Sequence, residues 1–272
     1  MGKARNILFL MTDQRRADTL GAYGNQLAAT PVLDEMTRTG TRLNRRYTPA
    51  AMCTPARASL LTGQAGPRHR VLANHERNVG YLEDLPDGQF TFSEALRDRV
   101  YNCGLIGKWH IGKEKRAADF GFDGPDLPGW RDPVQHEDYL AYLEESGLPA
   151  YEISDHIRAT LPNGGQGNLL AARLNQPLEA TFEYYLVSRA LELLGRYVRD
   201  LKNNGMPFFL ELSFFGPHLP SIVPNEIFDM FGPRQIELPK SISEIFGEKP
   251  RRKRTSVHTG SSIQRHWKCP ES

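Results

Sequence analysis

What the chain lacks narrows its class before any motif is read. Apolar runs are short: the first, Ile7 to Met11, is bounded by Asn6 and Thr12. That is far below the ~20 residues of a membrane span and too brief for the core of a secretion signal. The sequence as it stands therefore predicts a cytoplasmic protein with no membrane contact. Cysteine is scarce, with only Cys53, Cys103 and Cys269 present. These are too few for a disulfide framework, and their spacing suits no zinc site. Neither sign of charge dominates, since 34 Lys and Arg stand against 32 Asp and Glu. That balance argues neither for nor against nucleic acid. Its basic excess is local, at Lys249, Arg251, Arg252, Lys253 and Arg254, and no nucleic-acid partner is expected. No internal repeat is present.

What is there suffices for a large domain with a substantial core: 272 residues, of which 39% are hydrophobic. Ile7 to Met11 has the continuous apolar pattern of a strand covered on both faces of an α/β sheet. Thr12-Asp13-Gln14-Arg15 follow at its carboxyl end, where open α/β sheets place their ligands. A helix is expected from Thr30 and Pro31 to Gly40, with Thr30 as its cap and Leu33 and Met36 on one face. A Cys53 loop leads into a short helix over 57–63, and another helix over 93–99 leads into a strand at 102–106. The stretch 120–177 is rich in Gly, Pro, Tyr and acidic residues and reads as long, partly helical excursions. The clearest helix runs over 179–203, with Phe182, Tyr185, Leu186, Leu193, Tyr197 and Leu201 at helical spacing before Gly205-Met206-Pro207. A second buried strand follows at 208–215. Strands and helices in alternation predict a doubly wound α/β domain with a largely parallel central sheet.

Three of these elements end in reactive groups: Asp13-Gln14, Lys108 with His110, and His218. Each alone is ordinary, since an Asp after a strand is commonly a turn or cap residue and a His before Leu-Pro commonly sits in a turn. Lys108 and His110, two apart on an extended segment, would face the same side. The segment Cys53-Thr54-Pro55-Ala56-Arg57-Ala58-Ser59-Leu60-Leu61-Thr62-Gly63 is the specific signal. A given cysteine would meet Pro two residues on, Arg four on and a closing Thr-Gly by accident in roughly 1 in 10⁴–10⁵ cases. The bland alternative is a buried structural cysteine ahead of a helix.

That segment resembles the signature of the formylglycine-dependent sulfatases of the alkaline-phosphatase-like superfamily. The resemblance spans residues 4 to 245, through Asn6 to Gln14, Thr30 to Leu33, Cys53 to Gly63, Gly107 to Gly112, and Pro207 to His218. It implies that Cys53 is oxidised to a formylglycine by a maturation enzyme that reads Cys53, Pro55 and Arg57. The hydrated aldehyde would be the nucleophile. Asp13, Gln14 and residue 53 would be ligands to a divalent cation, usually Ca2+, which suits carboxylate and amide oxygens. Arg57 would hold the hydrate with a permanent charge, and Lys108 would contact the sulfate and the nucleophile. His110 would take the proton of the second hydroxyl so that sulfate is released. His218 would contact the sulfate and protonate the leaving alcohol. A sulfated small molecule or glycan is the implied substrate. Most relatives carry two adjacent aspartates where this chain has Asp13-Gln14. That pair is similar to the subgroup of choline sulfatases and phosphonate monoester hydrolases, which keeps a phosphonate or phosphate diester substrate open.

The chain departs from the pattern downstream. The later Ser-Asp-His/Asn-Gly segment that completes the family's metal site, and the lysine beyond it, do not occur after His218. Ser154-Asp155-His156 precedes Pro217-His218 and lacks the following glycine, so it is not taken as a ligand. Residues 1–245 are therefore expected to form a partial, C-terminally incomplete sulfatase catalytic domain. The basic, Ser/Thr-rich residues 246–272 are expected to form a disordered or aberrant tail. An interrupted coding frame would explain both features, and a non-catalytic fragment is the alternative to an active hydrolase.

Overall fold

The computed structural model describes residues 4–74, 82–127, 129, 132–161, 163–232 and 235–236. The expected tail at 246–272 lies outside them. The central sheet contains β1 (Ile7–Met11), β2 (Asn102–Gly107) and β5 (Phe208–Ser213) in the order β1-β5-β2. Both pairings are parallel, with Met11 and Gly107 each opposite Ser213. All six residues of β5 are buried, as a largely apolar strand interrupted only by Glu211 before Ser213 demands.

Side chains alternate across β5 and meet a different helix layer on each face. Leu210 and Leu212 join Ile106 in packing against Leu186, Ala190, Leu193 and Tyr197 of α6 (Phe182–Asn204), and α5 (Glu137–Glu145) adds Tyr139 and Leu143. Phe209 faces the other way. It packs with Cys103, Leu105, Trp109 and Phe122 against Ala58 and Leu61 of α2 (Cys53–Thr62). Helices on both faces of a parallel sheet are the doubly wound arrangement, and each fully buried Leu or Phe contributes about 1.5–3 kcal/mol to it. Among the described residues no helix is long and apolar enough to cross a membrane.

Local signals explain where the helices begin and end. At α6, the Thr181 hydroxyl accepts a hydrogen bond from Tyr184 N at 3.1 Å, and Gly205 closes the helix in the left-handed region. Helix α4 (Phe92–Arg97) starts on a capping box between Thr91 and Glu94. Helix α1 (Pro31–Thr39) forms where expected, but Thr30 does not cap it. Its hydroxyl instead accepts from Gly21 N and donates to Asp34 Oδ1, stitching the preceding loop to the helix.

Three expectations are corrected. Strand β1 is not covered on both faces: it is the edge of the sheet among the described residues, and Leu8 and Leu10 are about half exposed (53% and 49%). Helix α2 begins at Cys53 itself rather than after a Cys53 loop. Among its described residues the stretch 120–177 is helical at α5 and at two short 3₁₀ turns; it also holds an antiparallel hairpin, β3 (Ile153–Thr160) and β4 (Gln166–Leu174), which β6 (Ser221–Pro224) joins in parallel. The hairpin turns where Leu161 N donates to Gly165 O. Its pairing slips register three times, which erased the two-residue alternation that would have revealed it. Asp155 of β3 forms an ion pair with Arg173 at 2.8 Å, a contact internal to this second sheet.

Candidate active site

The carboxyl ends of the three central strands hold the site together. Beyond β1, Asp13 N donates to Gly216 O at 3.1 Å, and Phe214 N donates to Met11 O at 2.8 Å. Lys108 N donates to Ser213 O at 2.8 Å just past β2. Gly107 makes this approach feasible: its φ is +105°, and an added Cβ would lie 2.0 Å from Ser213 O.

On α2, Cys53 and Arg57 are four residues apart and so share a helix face. Both reach Asp13. The Cys53 thiol lies 3.7 Å from Asp13 Oδ1, and Arg57 Nη2 donates to Asp13 Oδ2 at 3.2 Å. Arg57 Nη1 donates to Ser213 Oγ at 2.8 Å and to Lys108 O at 2.7 Å. Lys108 Nζ meets Asp13 Oδ2 at 2.7 Å. Asp13, Arg57 and Lys108 are all buried. Asn74 Oδ1 accepts from Thr54 N at 3.1 Å, satisfying one of the free amides of the first turn of α2 from outside the helix.

Charge decides the protonation of these groups. Burial pushes the Asp13 carboxyl up, but the Lys108 hydrogen bond and the charges of Lys108, Arg57 and His218 outweigh it and hold it below its ordinary value. For Cys53, burial and the neighbouring Asp13 charge push the thiol up, more than Lys108 and Arg57 pull it down. An unmodified Cys53 is therefore a protonated, weak nucleophile at neutral pH. Cys103, pushed up to about 11 by burial, is inert in the core.

The other expected residues are placed less tightly. His110 is buried, with φ +51° rather than an extended conformation. Both His110 and Lys108 pack against Gly129, where an added Cβ would meet Lys108 Cγ at 2.7 Å and His110 Cβ at 2.9 Å. His218 Nδ1 donates to Leu219 O at 2.7 Å, which leaves Nε2 as the proton-accepting nitrogen of the neutral ring. Gln14 is exposed, and its side chain joins none of the contacts around Asp13. Ser213 and Asn74 were missed. Ser213 carried a readable signal, a small polar residue near the end of an apolar strand; Asn74 carried none.

Comparisons with known proteins bear on the family and the fold. The family model described as Sulfatase matches residues 5–243. Steryl-sulfatase of Mus musculus is 40% identical over 118 residues, covering 42% of this chain and 19% of that protein. An arylsulfatase of Clostridium perfringens is 27% identical over 260 residues, covering 90% of this chain and 49% of that protein. The chain thus spans half or less of the length of these curated relatives. Among solved structures, the phosphonate monoester hydrolase of Agrobacterium radiobacter superposes with a TM-score of 0.59 at 22% identity, covering 93% of this chain and 48% of that one. BT4656, in complex with its substrate D-glucosamine-2-N,6-O-disulfate, superposes with a TM-score of 0.55 at 18% identity, covering 92% and 42%. At these identities the structural likeness is one of fold.

Proposed function

This chain belongs to the sulfatase family, and from that premise we propose that its site hydrolyses sulfate esters once Cys53 has been converted to formylglycine. The observation that carries the reading is the Cys53 thiol at 3.7 Å from Asp13, inside the buried Asp13–Lys108–Arg57 cluster. As a cysteine, residue 53 is the weak nucleophile described above; as a hydrated aldehyde it supplies the attacking hydroxyl.

The chain's own residues do the rest. Arg57 is locked by Asp13, Ser213 and the Lys108 carbonyl, so its charge is preorganised beside residue 53. Lys108 brings the second cation that a sulfate group needs. His110 is the residue we assign to take a proton at residue 53. His218 Nε2, when protonated, is the donor for the leaving alcohol oxygen. The family-matched span supports a catalytic unit over residues 1–245.

Sulfatases generally add a divalent cation, and the donors here fit one in part. Asp13 offers a carboxylate oxygen and Gln14 an amide oxygen, the types a hard cation takes at six to eight positions. Gln14 is exposed, however, and no group of three or more His, Cys, Asp or Glu residues gathers among the described residues. Asp13 would be the main protein donor, with Ca2+ as the expected ion.

The D-glucosamine-2-N,6-O-disulfate bound by BT4656 supports a sulfated small molecule or glycan as substrate. The test is turnover of an aryl sulfate against an aryl phosphonate by the chain co-expressed with a maturation enzyme. Preference for sulfate supports the reading. Preference for phosphonate moves the site to phosphonate or phosphate diester chemistry, and no turnover of either makes this chain by itself a non-catalytic fragment.

A further inference from the structure

Glu211 stands in the middle of β5, between Phe9 of β1 and Leu105 of β2 in register. Alternation puts it on the same face as Ser213, the residue that accepts from Arg57 Nη1. It is 5% exposed, and its carboxyl forms no hydrogen bond or ion pair among the described residues. A cavity of about 10 Å3 is lined by Glu211 and Arg57 together with Leu61, Phe92, Trp109 and Phe122. That is room for about one water, which needs at least two polar partners. Arg57 has five N–H donors, and the three bonds to Asp13, Ser213 and Lys108 leave two over.

A carboxyl here works against stability, since a leucine in the same apolar wall would not carry its desolvation cost. We propose that Glu211 is a positioning residue for Arg57: through one water in this cavity its carboxyl holds the donors that Asp13, Ser213 and Lys108 leave over, and gain or loss of its proton changes that hold. Helix α2 presents Arg57 to it. Phe9, Leu105, Phe92 of α4 and Trp109 face it from the other elements, and none of them titrates. Burial pushes the carboxyl up to about 7, against the opposing pull of Arg57, so the proton exchanges near neutral pH. The inference rests on the reading of Arg57 as a site residue.

Two NMR signals test it without turnover and without modification of residue 53. The side-chain carboxyl carbon of Glu211 is assigned with Glu211→Gln, and the Nε–Hε pair of Arg57 with Arg57→Lys. Both signals are expected to move with one midpoint near 7. The Arg57 signal should be flat with pH in Glu211→Gln, and Arg57→Gln should raise the proton affinity of Glu211 tenfold or more. An Arg57 signal that ignores pH overturns the proposal, as does a Glu211 midpoint unmoved by Arg57→Gln. If Glu211→Gln fails to fold, the Arg57→Gln comparison decides alone. Failure here leaves the sulfate-ester reading standing, and failure of Cys53 maturation leaves this one standing.

Discussion

Lys108 Nζ and Asp13 Oδ2 lie 2.7 Å apart, with both side chains more than nine-tenths buried. Arg57 meets the same oxygen from α2, so two buried cations share one carboxylate. Asp13→Asn leaves both cations without a full counter-charge, and removing one partner of a buried charge network costs about 3–5 kcal/mol. Urea unfolding of the two proteins at neutral pH measures the loss. A difference within 1 kcal/mol, roughly the value of an exposed pair, would contradict the buried geometry.

The same pairing sets the acid limb of stability. The Asp13 carboxyl is held below its ordinary value of 3.8 in the folded chain. Its contribution is present above that value and disappears as pH falls through the lower folded value. Asp13→Asn should therefore flatten the wild-type decline below pH ~4, as seen in unfolding midpoints across that range.

Glu211 acts with the opposite sign. Its folded value of about 7 lies above the ordinary value of 4.5, so the folded chain binds the proton more tightly than the unfolded chain. Its contribution to stability is fully present below 4.5 and is lost as pH rises towards 7, by about 3 kcal/mol at 1.36 kcal/mol per unit. Glu211→Gln should remove that slope. A slope retained in the variant would assign it to other groups.

Thiol chemistry reads the field at residue 53 directly. The Asp13 charge raises the Cys53 thiol, so Asp13→Asn should lower it and speed alkylation at pH 8 several-fold. A background with Cys269→Ser isolates the signal, because buried Cys103 stays unreactive. Slower or unchanged alkylation would show that Asp13 does not act on the thiol.

Gly107→Ala tests the junction of β2 with β5. The new Cβ would meet Ser213 O in a left-handed backbone conformation, and a loss of at least about 2 kcal/mol is expected. Thermal unfolding is the measurement, and a neutral result would mean that Lys108 is not held by the close approach of Gly107 to Ser213.

Much of this fold was legible because its signals are local. Phe208 to Ser213 is apolar enough to demand cover on both faces, and the stripe from Phe182 to Leu201 has one stable way to pack. The hairpin from Ile153 to Leu174 was not legible, since its bulges scramble alternation. The exposed β1 was misread because an apolar run reports what would stabilise a strand, not whether a neighbour is present. At the site, Cys53 and Arg57 were readable together from their spacing. The convergence of Arg57 and Lys108 on Asp13 spans about 50 to 100 residues of chain and exists only once the sheet forms. Glu211 looked like one polar letter in an apolar strand, and only packing shows it lining a cavity with Arg57.

The most direct measurement is the mass of the peptide containing residue 53, from chain produced with and without an active formylglycine-generating enzyme. A sulfatase-type site predicts an aldehyde at position 53 in the first sample, trapped by a hydrazine reagent, and an intact cysteine in the second. An unmodified Cys53 in both samples, alongside a control substrate that the enzyme converts, would contradict it.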